Sequence, residues 1–85
     1  MSKTFNLSIV APDRVIAEKK AVSLVVPSEL GYMGILANHA PLVANLTKGD
    51  ITVRSESGAP EKFQSKGKGF IEVLNNEVVV ILRSN

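Results

Sequence analysis

Phe5, Leu7 and Ile9 alternate with Asn6 and Ser8, the period-two rhythm of a strand with one buried and one wet face. Ala11-Pro12-Asp13 interrupts it as a turn. The pattern then predicts a second strand over 14–18 and a third over 21–26, with Lys19-Lys20 as a solvated hairpin end and Pro27 as the stop. A helix over 13–22, capped by Asp13, is the alternative, but it would set Val15 and Ile16 beside Lys19 and Lys20, a poor amphipathic stripe. Further along, 42–46 is short and apolar, and Lys48-Gly49-Asp50 turns the chain into an alternating 51–54. A polar hairpin loop over 55–60 leads to 62–66, which alternates around Phe63. Strands over 70–74 and 77–82 are joined by Asn75-Asn76, two residues that tolerate the left-handed region and so suit a type I′ turn.

Short strands with turns every few residues predict an all-β fold, a small β-sandwich of about nine or ten short strands. The inward set is expected to be Phe5, Leu7, Ile9, Leu24, Val26, Ile51, Val53, Phe63, Ile71, Val73 and Val80. One stretch does not alternate: Val78-Val79-Val80-Ile81-Leu82 is apolar throughout. A strand on the outside of a lone sandwich should show polar residues on its wet face. Either this strand is central and shielded by its neighbours, or another subunit covers it. Phe70-Ile71 and Ile35-Leu36 add to the apolar surplus.

The segment from Gly31 to Leu42 contains Tyr32, Met33, Ile35 and Leu36 between or beside two glycines, then His39 and Pro41. It is too apolar for a plain loop, and its glycines argue against a plain strand. Tyr32 and Met33 are read as an apolar tip on a bend, a feature that often contacts a partner. The alternative is a tight corner whose side chains fold back into the core.

At 85 residues the chain is one domain, 1–85, with 45% apolar residues and no stretch long enough to span a bilayer as a helix. Its start runs straight into a strand pattern, so no signal peptide is expected. The net charge of +2 comes from ten basic against eight acidic groups and gives only a mild bias toward anionic partners. With no cysteine there is no disulfide and no thiolate zinc site.

Candidate chemistry is sparse. His39 with a serine and Asp13 or Asp50 could form a triad, but no Gly-x-Ser-x-Gly elbow exists to present a nucleophile. The carboxylates follow no calcium-loop spacing. Lys66-Gly67-Lys68-Gly69 lacks the phosphate-loop pattern and reads as a strand bend with a basic outer face. Single-stranded nucleic acid needs aromatic platforms in a basic groove, whereas Phe5, Phe63 and Phe70 fall in strand patterns. No nucleic acid, metal or cofactor is expected.

The order of motifs resembles the N-terminal β-sandwich of the ε subunit of the rotary ATP synthase, the counterpart of mitochondrial δ. The resemblance rests on Phe5-Asn6-Leu7-Ser8-Ile9-Val10-Ala11-Pro12-Asp13, on Ala21-Val22-Ser23-Leu24-Val25-Val26-Pro27, and on Gly31-x-x-Gly34-Ile35-Leu36-x-x-His39-Ala40-Pro41-Leu42. Leu46-Thr47-Lys48-Gly49-Asp50-Ile51 and Gly69-Phe70-Ile71-Glu72-Val73-x-x-Asn76-x-Val78 complete it. The chain departs from the family in carrying Tyr32 where an acidic residue is usual and Ala37 where proline is usual.

The resemblance implies a non-catalytic central-stalk subunit of a proton-translocating ATP synthase. Its partners would be the γ subunit and the membrane ring of c subunits. It would sit peripherally at the cytoplasmic face of the inner (plasma) membrane, without entering the bilayer. By position, Gly31, Tyr32, Met33, Gly34 and His39 are the expected ring-facing contact, and Ala11, His39 and Ala44 the expected γ-facing contact. The family typically continues into a helical hairpin that carries its inhibitory action and, in some bacteria, an ATP site. These 85 residues contain no such segment, so neither property is expected of them. The rival class is an independent small β-barrel that binds nucleic acid or an anionic ligand.

Overall fold

Alternating residues build nine strands in the computed structural model, which describes residues 3–83. Met1, Ser2, Ser84 and Asn85 of the 1–85 domain lie outside the described residues. The strands are β1 (Phe5–Ala11), β2 (Arg14–Ala21), β3 (Ser23–Ser28), β4 (Gly31–Leu36), β5 (Leu42–Asn45), β6 (Lys48–Arg54), β7 (Glu61–Lys66), β8 (Gly69–Leu74) and β9 (Glu77–Leu82). The fold is an all-β sandwich. One sheet has the order β2-β1-β9-β8-β5 and the other β4-β3-β6-β7. All pairings are antiparallel except β1 with β9, which are parallel.

The core lies between the sheets and is built by alternation. Phe5, Leu7 and Ile9 face it from β1, Leu24 and Val26 from β3, Ile51 and Val53 from β6, and Ile71 and Val73 from β8. Each such side chain removed from water contributes roughly 1.5–3 kcal/mol. Ten of the eleven residues expected inside are buried. Phe63 is only half-buried against the core, because β7 is the edge strand of its sheet and has no neighbour to cover the ring's outer side. The apolar run Val78 to Leu82 is explained by position: β9 is the middle strand of five, with Val78, Val80 and Leu82 inward and Val79 and Ile81 partly covered on the outer face.

Three local expectations are corrected. Gly31–Leu36 is not a tip on a bend but strand β4, paired residue for residue with β3 from Ser23↔Leu36 to Ser28↔Gly31. The turn falls earlier, at Glu29-Leu30. Pro27 does not end the third strand. Register with β6 stops at Val25, so the missing Pro27 N–H removes no ladder bond there, while the Pro27 carbonyl accepts from Thr47 N at 3.0 Å. Lys19-Lys20 lies within β2, not at a hairpin end, and Lys19 reaches across the sandwich to an ion pair with Glu61 of β7. That pair joins the edge strands of the two sheets. The alternative helix over 13–22 is replaced by β2.

The register sorts the loops to two ends. Ser28 bridges Leu46, Leu46 N donates to Gly69 O at 3.0 Å, and Arg83 N donates to Lys68 O at 3.2 Å. One end therefore holds the turns after β1, β3 and β7 together with Lys48 and Arg83. At the other end Asn75 and Asn76 both take positive φ, 51° and 62°, as a type I′ turn requires. Asn76 gathers that end: its Oδ1 accepts from Asn38 N at 2.8 Å, its Nδ2 donates to Thr4 O at 2.9 Å, and its carbonyl accepts from Asn6 N at 3.2 Å.

Candidate docking surfaces

Strand register places side chains of adjacent strands side by side on one face. On the outer face of the five-stranded sheet, Val15 pairs Val10, Val10 pairs Ile81 and Ile81 pairs Phe70. These four form a continuous apolar row across β2, β1, β9 and β8. Val15 is 56% exposed and the other three are partly covered. The next row is mixed, Ser8 with Val79 and Glu72 with Val43. A shallow cleft of about 410 Å³ opens where Pro41, Leu42 and Val43 meet Glu72, Val73 and Leu74. Sequence reading found the apolar surplus but not this row, because only the pairing of strands distant in sequence assembles it.

The segment from Gly31 to Leu36 is split by alternation. Ile35 is buried in the core, Met33 packs against it half-buried, and Tyr32 and Leu36 point outward. Tyr32 is 62% exposed, yet it does not stand free: its hydroxyl accepts from Asp50 N at 3.4 Å. The hydroxyl lies over Gly49, where a Cβ would come within 2.6 Å of it and 3.0 Å of Pro27 Cβ. Gly49 thus leaves room for the tyrosine, a link that sequence reading missed by taking 48–50 as a turn.

This division gives a measurable expectation. Tyr32→Ala should cost about 1 kcal/mol or less, the loss of one exposed hydrogen bond. Met33→Ala should cost about 2 kcal/mol through lost core contacts. Urea denaturation of the two variants would show it, and the opposite ranking would return Tyr32 to the core.

The structure does not bring the expected ring-facing residues together. Gly31, Tyr32, Met33 and Gly34 run along β4 away from the Glu29-Leu30 end, whereas His39 sits in the loop after β4 at the Asn76 end. His39 is half-buried, with Nδ1 2.7 Å from the Ala40 carbonyl oxygen, a positioning contact. Of the γ-facing set, Ala11 is buried and Ala44 half-buried on the inner face of its sheet, so the surface there is presented by neighbours such as Val10 and Val43. Asp13 pairs with Arg14 at 3.1 Å and lies at the opposite end from His39, so these two do not meet. Asp50 accepts from Gln64 and lies 3.9 Å from Lys62 Nζ.

The chain is similar to the ATP synthase epsilon chain of Dichelobacter nodosus, 38% identical over 81 residues that cover 95% of this chain and 56% of the relative. It is 42% identical to that of Leptospira borgpetersenii over 76 residues, 89% of this chain and 58% of the relative. The chain thus spans little more than half the length of these relatives. In fold it is similar to a chain of the Euglena gracilis mitochondrial ATP synthase, a structure of its OSCP, F1 and c-ring, with a TM-score of 0.88 at 24% identity over 96% of this chain and 52% of that one. A chain from the central stalk and c-ring of the Tetrahymena thermophila enzyme gives a TM-score of 0.79 at 14% identity, covering 93% and 63%. The family model for the β-sandwich domain of the ATP synthase delta/epsilon chain matches residues 4–84, and the chain belongs to that family.

Proposed function

We propose that this chain is a non-catalytic subunit of the central stalk of a proton-translocating ATP synthase. It docks the γ subunit onto the membrane ring of c subunits, so that ring rotation is passed to the catalytic head. It would work peripherally, at the cytoplasmic face of the inner (plasma) membrane. The observation that carries this reading is the apolar row Val15–Val10–Ile81–Phe70 across the outer face of the five-stranded sheet. Such a row is an area that association with a partner removes from water. The names of the relatives, ATP synthase epsilon chains, support assigning the chain to that complex.

On this reading γ lies along the row. It touches the chain near Ala11 and Ala44, beside Val10 and Asn45, and reaches His39 at the Asn76 end. The ring meets the other end at Gly31 and Tyr32, with Met33 and Gly34 extending the contact along β4. His39 then belongs with γ, since β4 separates it from Gly31. Coupling of this kind is mechanical. It asks for rigid, complementary surfaces and no reacting group.

The test is co-expression with γ and the c subunits. The chain is expected to purify with both and to ignore oligonucleotides. A γ–ring assembly that forms without retaining it would refute the proposal.

A further inference from the structure

Glu72 stands exposed on β8 in an apolar setting. Val79 of β9 is its register partner on one side and Val43 of β5 on the other. Phe70 and Leu74, two positions before and after it, point to the same face of the sheet. An apolar side chain thus stands on each of its four sides. Its carboxylate has no ion pair and no hydrogen bond among the described residues. The other carboxylates of this face are placed differently. Glu77 accepts from Asn6 Nδ2 at 3.1 Å, and Glu18 lies on the edge strand β2, two positions from Lys20. Glu72 is also the one charged residue lining the cleft of about 410 Å³, among Pro41, Leu42, Val43, Val73 and Leu74. Val43 and Leu74 are 70% and 58% exposed there.

We propose that this cleft receives an arginine of the γ subunit, with its alkyl stem along Val43 and Leu74 and its guanidinium on the Glu72 carboxylate. The contact rests on the stalk reading and gives its docking face a fixed placement. Phe70, the last residue of the apolar row, is two positions from Glu72 on the same strand, so the cleft continues the row. A partner laid over the row therefore takes Glu72 out of water. A carboxylate desolvated without a counter-charge opposes association, so the covering surface must bring a cation there. Arginine fits apolar walls better than lysine. Its guanidinium is planar and weakly hydrated, and it forks onto a carboxylate through two N–H donors. The row alone would let a partner slide along an apolar strip or turn end for end. One ion pair beside the row permits a single register.

The kinetics of binding to immobilised γ test the contact. Glu72→Gln is expected to raise the dissociation rate about thirtyfold and to change the association rate less than about threefold. The loss should persist in about 0.5 M salt, because a covered pair is little screened. Glu72→Thr should lose binding equally while raising Tm by about 3 °C, since threonine suits an exposed strand better than an unpaired glutamate. That gain in stability separates lost binding from lost folding. Glu72→Arg should abolish binding, and an arginine-to-glutamate change at one position of γ should restore it. Restoration only through a lysine of γ would overturn the assignment to arginine. An effect of Glu72→Gln confined to the association rate and erased by salt would overturn the proposal, making Glu72 a rim charge. So would normal binding by Glu72→Gln where Val10→Thr with Ile81→Thr weakens it, an outcome that leaves the stalk reading standing. Failure of the unaltered chain to bind γ would overturn both.

Discussion

Gly69→Ala is expected to destabilise the domain by on the order of 4 kcal/mol, much of the 5–15 kcal/mol that holds a typical fold. Gly69 opens β8 at φ +139°, a backbone region that L side chains rarely adopt, and forcing one there costs roughly 1–3 kcal/mol. Space makes it worse. A Cβ would fall on the Ile81 carbonyl oxygen, 3.1 Å from the carbonyl carbon and 3.3 Å from Leu82 Cα. These are backbone atoms of the central strand and cannot swing aside as a side chain would. The Gly69 carbonyl also accepts from Leu46 N at 3.0 Å, so a shift there would loosen the end of β5. Gly58 is the control: its φ is +92°, but a Cβ there meets nothing within 4 Å, so Gly58→Ala should cost only about 1 kcal/mol. Urea midpoints would compare them, and equal losses would mean that β8 and β9 part at little cost.

The second large effect should appear in assembly while stability changes little. Val10→Thr with Ile81→Thr keeps both residues β-branched and therefore suited to strands, but places hydroxyls in the middle of the apolar row. Each anchor of an interface contributes roughly 1–3 kcal/mol, so the pair should weaken association with γ about a hundredfold. Surface plasmon resonance against immobilised γ would measure this, with thermal unfolding as the check on folding. Unchanged affinity would move the docking surface away from this face. A variant that failed to fold would show Val10 and Ile81 to be core residues; the conservative partner Ile81→Val, expected to bind nearly normally, guards against that confusion.

What could be read from the chain was set by whether the signal is local. Alternation at Phe5, Leu7 and Ile9 fixes both strand and inward face without any knowledge of neighbours. The Asn75-Asn76 turn was legible for the same reason, since the conformational preference sits in the two residues themselves. Gly31–Leu36 was misread because its glycines weigh against a strand locally, while the decisive partner, β3, acts through pairing. Pro27 was misread in the same way: proline ends a strand only if a neighbour needs its N–H, and here β6 has already left the register. Phe63 looked like a core residue because nothing local says that β7 is an edge. The docking row was invisible as a unit. It joins residues of four strands, and sequence displays only their apolar character.

The parallel pairing of β1 with β9 has a consequence for how the domain is born. Asn6 touches Glu77 across 71 positions of sequence, and β9 is the strand that fills the gap between β1 and β8. A chain leaving the ribosome therefore makes the centre of its larger sheet last. Until β9 emerges, β1 and β8 each present an unpaired edge, and Phe5, Leu7, Ile9 and Ile71 lack the wall that Val78 and Val80 provide. Closing contacts of such range is slow and leaves nascent chains prone to sticking. The nascent domain should accordingly lean on a chaperone until its final strand slides into place.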